Sequence, residues 1–218
     1  MKLYKLTDCD GMTMNETRWG PGVTHTAPGD SPICGPGWIH AWRCPLLAVI
    51  MNPAFGRFDP RTMRLWECVG EPVVDDYVKV GCTTLTTLRE IPRPEVELDR
   101  RVRFGILAAR TVWSEKVWID WSESWLSGID RSAEAAQEGR RRAEMEDWIG
   151  WRAAYAAAEA AEYAAYARDG IKRPVDGEDE AEYAARVAAE AAAGAAHIVR
   201  YSGEGSIDLV ALAREATR

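Results

Sequence analysis

Residues 92–99 read Pro92-Arg93-Pro94-Glu95-Val96-Glu97-Leu98-Asp99, and the chain changes character across them. The two prolines cannot continue a ladder or a helix interior. The acidic residues that follow suit the positive end of a helix dipole. Before this stretch lies nearly all the Gly, Pro, Thr and Cys punctuation, the mark of short strands and loops. After it the chain is helical, with 21 Ala in the 55 residues from Ala143 to His197. The expected fold class is α+β: a small, largely antiparallel sheet domain followed by an Ala-rich α-helical hairpin or bundle. The expected boundaries are 1–94 for the small domain, 95–131 for a Trp-rich helical connector packing on it, and 132–218 for the hairpin and a last helix.

Upstream, Lys2–Thr7 reads as a strand with a turn at Asp8-Cys9-Asp10-Gly11, and Met12–Trp19 as its returning neighbour. Val23–Ala27 and Trp38–Trp42 are short strands, and Pro45–Met51 is a helical run with proline near its first turn. Leu65–Val69 and Tyr77–Leu88 complete the sheet. In the latter, Val78, Val80 and Cys82 alternate with Lys79, Gly81 and Thr83, the period of a half-buried strand.

Downstream, Val102, Ile106, Ala109 and Trp113 make one helical stripe, and Trp118, Trp121 and Trp125 another. A long helix from about Ser132 to Asp169 carries Met145, Trp148, Trp151, Tyr155, Tyr163 and Tyr166 on one arc, and stops at Gly170 and Pro174. A second Ala-rich helix, Glu178–Ile198, pairs with it. These aromatic stripes exceed what one hairpin hides, so self-association through the helical region is expected.

Composition excludes several classes. The chain has 218 residues, 27 basic against 34 acidic, and a formal charge of -7. That balance disfavours nucleic acid as a partner. No apolar run approaches the roughly 20 residues that span a bilayer, and no signal peptide follows Met1-Lys2-Leu3-Tyr4-Lys5. No membrane partner and a cytoplasmic setting are therefore expected. The five cysteines contain no Cys-x-x-Cys and read as reduced, buried thiols.

The ten tryptophans divide into six at core spacing on helices and four, Trp19, Trp38, Trp42 and Trp66, in the small domain. Candidate binding residues gather around that second set. In an extended 38–42 segment, Trp38, His40 and Trp42 share a face. A histidine between indoles suits a flat or cationic ligand, or acid/base work; it equally suits a core histidine bonded to a carbonyl. Trp19-Gly20-Pro21-Gly22 before His25 offers backbone N–H groups to an anion or makes a plain turn. Arg43 and Lys79 supply cations. The ligand-binding set is thus Trp19, His25, Trp38, His40, Trp42, Arg43 and Lys79. No catalytic residue, metal or cofactor is expected: no Gly-x-Ser-x-Gly elbow occurs, and His25 and His40 lack a close ligand partner. Arg140-Arg141-Arg142 reads as a solvated helix face.

Tyr4-Lys5, Cys34 with Gly37-Trp38, His40-Ala41, Pro45-Leu46, Glu67 with Gly70-Glu71 and Val73, and Asp76 with Lys79-Val80 together resemble an uncharacterised domain of bacteriophage and prophage genomes. Proteins of actinobacterial phages, with Ala-rich helical tails, carry runs similar to Trp19–Ala27, Leu65-Trp66-Glu67 and Arg89-Glu90-Ile91-Pro92. The resemblance spans about residues 2–110. It implies a phage origin and the host cell cytoplasm, and no activity, since the family's function is unknown. The expectation is a phage accessory protein that acts by binding, including counter-defence through sequestration of a nucleotide-like ligand. The alternatives are a protein-directed inhibitor of a host factor with an acidic helical surface, and an enzyme using His40.

Overall fold

The computed structural model describes residues 1–144, 150–173, 177–203 and 205–218. The chain forms two compact units, Met1–Glu95 and Val96–Arg218. The fold is α+β, with the antiparallel sheet in the first unit and helices throughout the second.

The first unit contains β1 (Lys2–Thr7), β2 (Met12–Thr13), β3 (Thr17–Arg18), β4 (Thr24–Thr26), β5 (Ile39–Ala41), α1 (Pro45–Phe55), β6 (Arg64–Asp75) and β7 (Val80–Ile91). The β6–β7 hairpin is its spine. β1 pairs with the outer edge of β6, while β4 and β5 lie end to end along β7, all antiparallel. Tyr4 and Trp42 exchange backbone hydrogen bonds of 2.9 Å in both directions. That bridge returns β5 to β1, so β1, β6, β7 and β5 close into a ring. The bridge joins the otherwise free edges of β1 and β5 at that point. Strand alternation sends Leu3, Trp66, Cys68, Val80, Cys82, Leu85 and Ala41 to one buried core, joined by Trp19. α1 buries Leu47–Asn52 and packs against β1.

The sheet differs from expectation in three places. Met12–Trp19 is not one strand beside β1: β2 and β3 pair with each other around a 3-10 turn, Met14–Glu16. The Asp8 carboxylate accepts from the N–H groups of Asp10 and Met12 and tightens that entry. β6 runs through Gly70 and Pro72 to Asp75, well past Val69. Register shifts on either side of Pro72 accommodate its missing N–H. The half-buried alternation over Val78–Thr83 is replaced by burial of both faces: Lys79 and Gly81 are buried with their neighbours. A Cβ at Gly81 would lie 2.7 Å from Val74 and 3.1 Å from Trp38, so only glycine admits both covering groups.

The second unit contains α2 (Leu98–Ala109), α3 (Lys116–Ser127), α4 (Ala133–Glu144), α5 (Trp151–Asp169), α6 (Glu180–Ser202) and α7 (Leu209–Ala216). Carboxylates of Glu115, Asp179 and Asp208 cap α3, α6 and α7 by accepting backbone N–H bonds. α5 and α6 form the expected Ala-rich pair. Their small side chains let the axes close up, with the Tyr163 and Tyr183 rings 4.4 Å apart and tilted by 47° in the seam. One correction applies. The expected helix from Ser132 to Asp169 is two helices: α5 starts after Gly150, and α4 lies antiparallel against it. Of the aromatic stripes, Trp113, Trp118, Trp121, Trp125 and Tyr166 are buried inside the unit, whereas Trp151, Tyr155 and Tyr163 are half-buried. Met145, Trp148 and Pro174 lie outside the described residues. Residues 96–131 cluster with the other helices, α2 packing on α5, α6 and α7. Among the described residues, no helix is long and apolar enough to cross a membrane.

Candidate functional site

β5 carries the densest set of candidates. Its pairing with β7 puts His40 opposite Gly81, while Ile39 and Ala41 face Cys82 and Val80 in the core. Trp38 and His40 therefore share the face away from that core, and Trp38 lies across Gly81. Both rings are fastened to the preceding loop. The Trp38 indole N–H donates to the Ser31 carbonyl at 2.7 Å. His40 Nε2 bonds to the Ile33 carbonyl. A carbonyl oxygen only accepts, so Nε2 carries the ring proton and Nδ1 is the bare nitrogen. Burial pushes the imidazole below its ordinary 6.5, with the nearby Lys79 and Lys5 charges adding to the effect. His40 is thus a neutral ring at pH 7.

Lys79 and Cys34 adjoin the same loop. Lys79, with a side chain only 5% exposed, donates to the Asp76 carboxylate at 2.7 Å. Its ammonium also lies 3.5 Å from the Cys34 sulfur and 4.5 Å from the centre of the Phe55 ring. Arg43 makes two bonds to Asp75, at 3.1 and 2.7 Å, on the exposed side of the same β6–β7 turn.

The remaining candidates lie elsewhere. Trp19 is buried and donates to Thr13 Oγ1 at 3.0 Å. His25 packs edge-on against it at 4.6 Å, with its Nε2 bonded to the Arg18 carbonyl at 2.8 Å. Trp42 is buried with its indole N–H unbonded among the described residues. Of the seven candidates, Trp38, His40 and Lys79 adjoin the Ser31–Cys34 loop. Trp19 and His25 form a second pair.

Two features escaped the sequence reading. Lys5 projects into the barrel core from β1, beside Trp66 in the register. Its ammonium donates to the His40 carbonyl at 3.0 Å and sits over the Trp19 ring. Burial pushes it down to about 8. Strand alternation already placed Lys5 with Leu3 and Thr7. The second feature is a polar seam between α4 and α5. Glu162 accepts from Gln137 at 3.0 Å and from the Tyr166 hydroxyl at 2.8 Å, and pairs with Arg140 at 3.0 Å. Arg140 is therefore not part of a solvated face, and Arg141 and Arg142 both pair with Glu138.

Among the described residues, no three His, Cys, Asp or Glu side chains gather as a metal site. Compared with protein-family models, curated proteins and solved structures, the chain matches none.

Proposed function

We propose that this chain is a phage-type accessory protein that acts in the host cytoplasm by binding a partner protein, without catalysis. One contrast within the first unit carries the reading. The polar ends of its candidate side chains are committed internally: His40 to Ile33, Trp38 to Ser31, His25 to Arg18 and Lys79 to Asp76. The β6–β7 ribbon instead exposes apolar side chains, Val69 at 45%, Val73 at 57%, Tyr77 at 43% and Leu88 at 46%. Such a surface suits an uncharged, apolar patch on another protein. Beside it, Glu67 holds both Lys2 at 2.9 Å and Arg89 at 3.0 Å, rim charges that orient a partner more than they add affinity.

Sequestration of a nucleotide fits less well, since it needs donors free to meet phosphate and base. The acidic-surface reading also weakens. Arginines interleave with the helical carboxylates, as in Arg110–Glu123, Arg131–Asp99 and Arg186 with Glu178 and Glu190.

The test is affinity purification from an actinobacterial host expressing wild type or V69K/V73K/L88K. A protein held by wild type and lost from the folded triple variant supports the reading. A protein held equally by both overturns this surface. A nucleotide panel in thermal shift is expected to leave the melting temperature unchanged, and a rise would restore the sequestration reading.

A further inference from the structure

The three side chains Cys34, Lys79 and Asp76 form a chain of contacts that binding does not use. Contrary to the expectation of buried thiols, Cys34 and Cys9 are exposed, while Cys44, Cys68 and Cys82 are buried; Cys34 lies at the tip of a loop held on both sides. Gly29 donates to the Gly37 carbonyl at 2.8 Å, Gly35 to the Pro32 carbonyl at 2.7 Å, and Gly37 to Ser31 Oγ at 3.0 Å. Lys79 approaches from the β6–β7 turn, its stem buried and its ammonium held between sulfur and carboxylate. Asp76 is fixed in turn, accepting from the N–H groups of Val78 at 3.1 Å and Lys79 at 2.8 Å. A thiol open to solvent, an amine 3.5 Å behind it and a carboxylate 2.7 Å behind that are the parts of a thiol–amine condensation.

We propose that Cys34 and Lys79 are an oxidation-driven switch: peroxide converts the Cys34 thiol to a sulfenic acid, and the Lys79 amine then closes a covalent S–N bond to it. In the first step sulfur attacks a peroxide oxygen, the O–O bond breaks, and the departing hydroxide takes the thiol proton as water. Sulfur loses two electrons and peroxide gains them. In the second step Asp76 takes a proton from the Lys79 ammonium. The freed nitrogen lone pair attacks sulfur as the S–O bond breaks, and hydroxide leaves. After the bond forms, nitrogen gives a second proton to the leaving hydroxide to make water, and Asp76 passes the first to solvent; the neutral sulfenamide is reducible by thiols. The bond ties the 29–38 loop to the β6–β7 turn, between Asp75, which holds Arg43, and β7. The switch is independent of the partner-binding reading and stands or falls separately.

Cys9 is the internal control, since it is also exposed but lies between Asp8 and Asp10. The experiment treats the full chain with limiting hydrogen peroxide and follows intact mass and peptide maps. The expected product has lost about 2 Da, carries Cys34 joined to Lys79, and returns to the starting mass with dithiothreitol. C34S, an exposed and conservative change, abolishes it, whereas C9S does not. Dimedone added during oxidation diverts Cys34 to its adduct and suppresses the link. K79R, checked by circular dichroism, also abolishes it; if K79R does not fold, C34S and dimedone decide. Oxygen retained on Cys34 with no bond to Lys79 would overturn the proposal. So would consumption of Cys9 ahead of Cys34, or a mass loss that maps to a disulfide.

Discussion

The Lys5 ammonium lies 4.7 Å from the centre of the Trp19 ring, inside the β barrel, with the His40 carbonyl as its hydrogen-bond acceptor. The indole face and the carbonyl recover part of the lost hydration, but burial still pushes the amine down from 10.5 to about 8. Below pH 8 both folded and unfolded chains carry the proton, and the fold bears the whole cost of the buried charge, about 3 kcal/mol. Between about 8 and 10.5 the folded chain releases the proton while the unfolded chain keeps it, so the cost fades as pH rises. K5M keeps the apolar stem and removes the charge, at the loss of one hydrogen bond worth about 1 kcal/mol. Urea denaturation should therefore find K5M more stable than wild type by about 2 kcal/mol at pH 7, with the gap closed or reversed by pH 10. An advantage that stays constant with pH would refute the assignment. The Cys68 thiol, pushed up to about 12 by burial, destabilises both proteins above pH 9, and the comparison between them reduces that effect.

Two buried tryptophans in the same unit should respond differently to one substitution. Trp66 donates its indole N–H to Thr7 Oγ1 at 3.1 Å, whereas the Trp42 N–H is buried without a partner. Phenylalanine removes a hydrogen bond at the first position and an unsatisfied donor at the second. Both changes lose similar volume. W66F should cost about 1–2 kcal/mol more than W42F, read from the denaturation midpoints at constant slope. Equal costs would mean that volume alone governs both sites.

Much of this arrangement was readable before the structure. Alternation puts Trp38, His40 and Trp42 on one face with Ile39 and Ala41 opposite; of the six tryptophans that the apolar stripes assign to the helical core, Trp113, Trp118, Trp121 and Trp125 are buried there and Trp151 is half-buried. Periodicity stops at the face, however. It does not show that the carbonyls of Ser31 and Ile33 return to occupy the two rings, because those bonds depend on the path of a glycine-rich loop. Nor does it extend β6 past Gly70 and Pro72, whose usual meaning is a break; here register shifts absorb them. The burial of Lys5 is hidden from the sequence for a similar reason. A lysine in a strand is ordinarily read as solvent-facing, and only ring closure through Tyr4 and Trp42 encloses its side of β1. In the helices, Glu159 and Glu162 read as surface charge until α4 folds back and brings Arg140 onto them.

The two central glycines of the helical unit separate close approach from mere flexibility. A Cβ at Gly105 in α2 would stand 2.9 Å from the Ala188 carbonyl oxygen and 3.1 Å from its Cα, both backbone atoms of α6. A Cβ at Gly194 in α6 would meet only the Ala153 methyl, at 3.8 Å. Alanine is favoured over glycine within a helix by about 1 kcal/mol, so G194A should raise the melting temperature by a few degrees. At Gly105 the same gain is opposed by forcing α2 and α6 apart, which costs about 1–3 kcal/mol, so G105A should melt lower than wild type. Stabilisation by both would show that α2 and α6 have room to separate.

Glu162 joins α4 to α5 with a nearly buried charge. Its Oε1 accepts from Gln137 and Tyr166, and its Oε2 stands 3.0 Å from the Arg140 guanidinium. E162Q preserves the shape, cancels the charge and leaves Arg140 with Glu159 at 3.8 Å. Because the Arg140 side chain is 29% exposed, water recovers part of its solvation. The expected loss is therefore about 1–3 kcal/mol, below that for a fully enclosed pair. Removing the arginine as well takes away the stranded charge while the glutamine oxygen still accepts from Gln137 and Tyr166, so R140M/E162Q should recover more than half of what E162Q loses. Thermal melts of the two variants and wild type decide it. A double variant less stable than E162Q would mean that the ion pair itself, rather than relief of an isolated charge, holds α4 on α5.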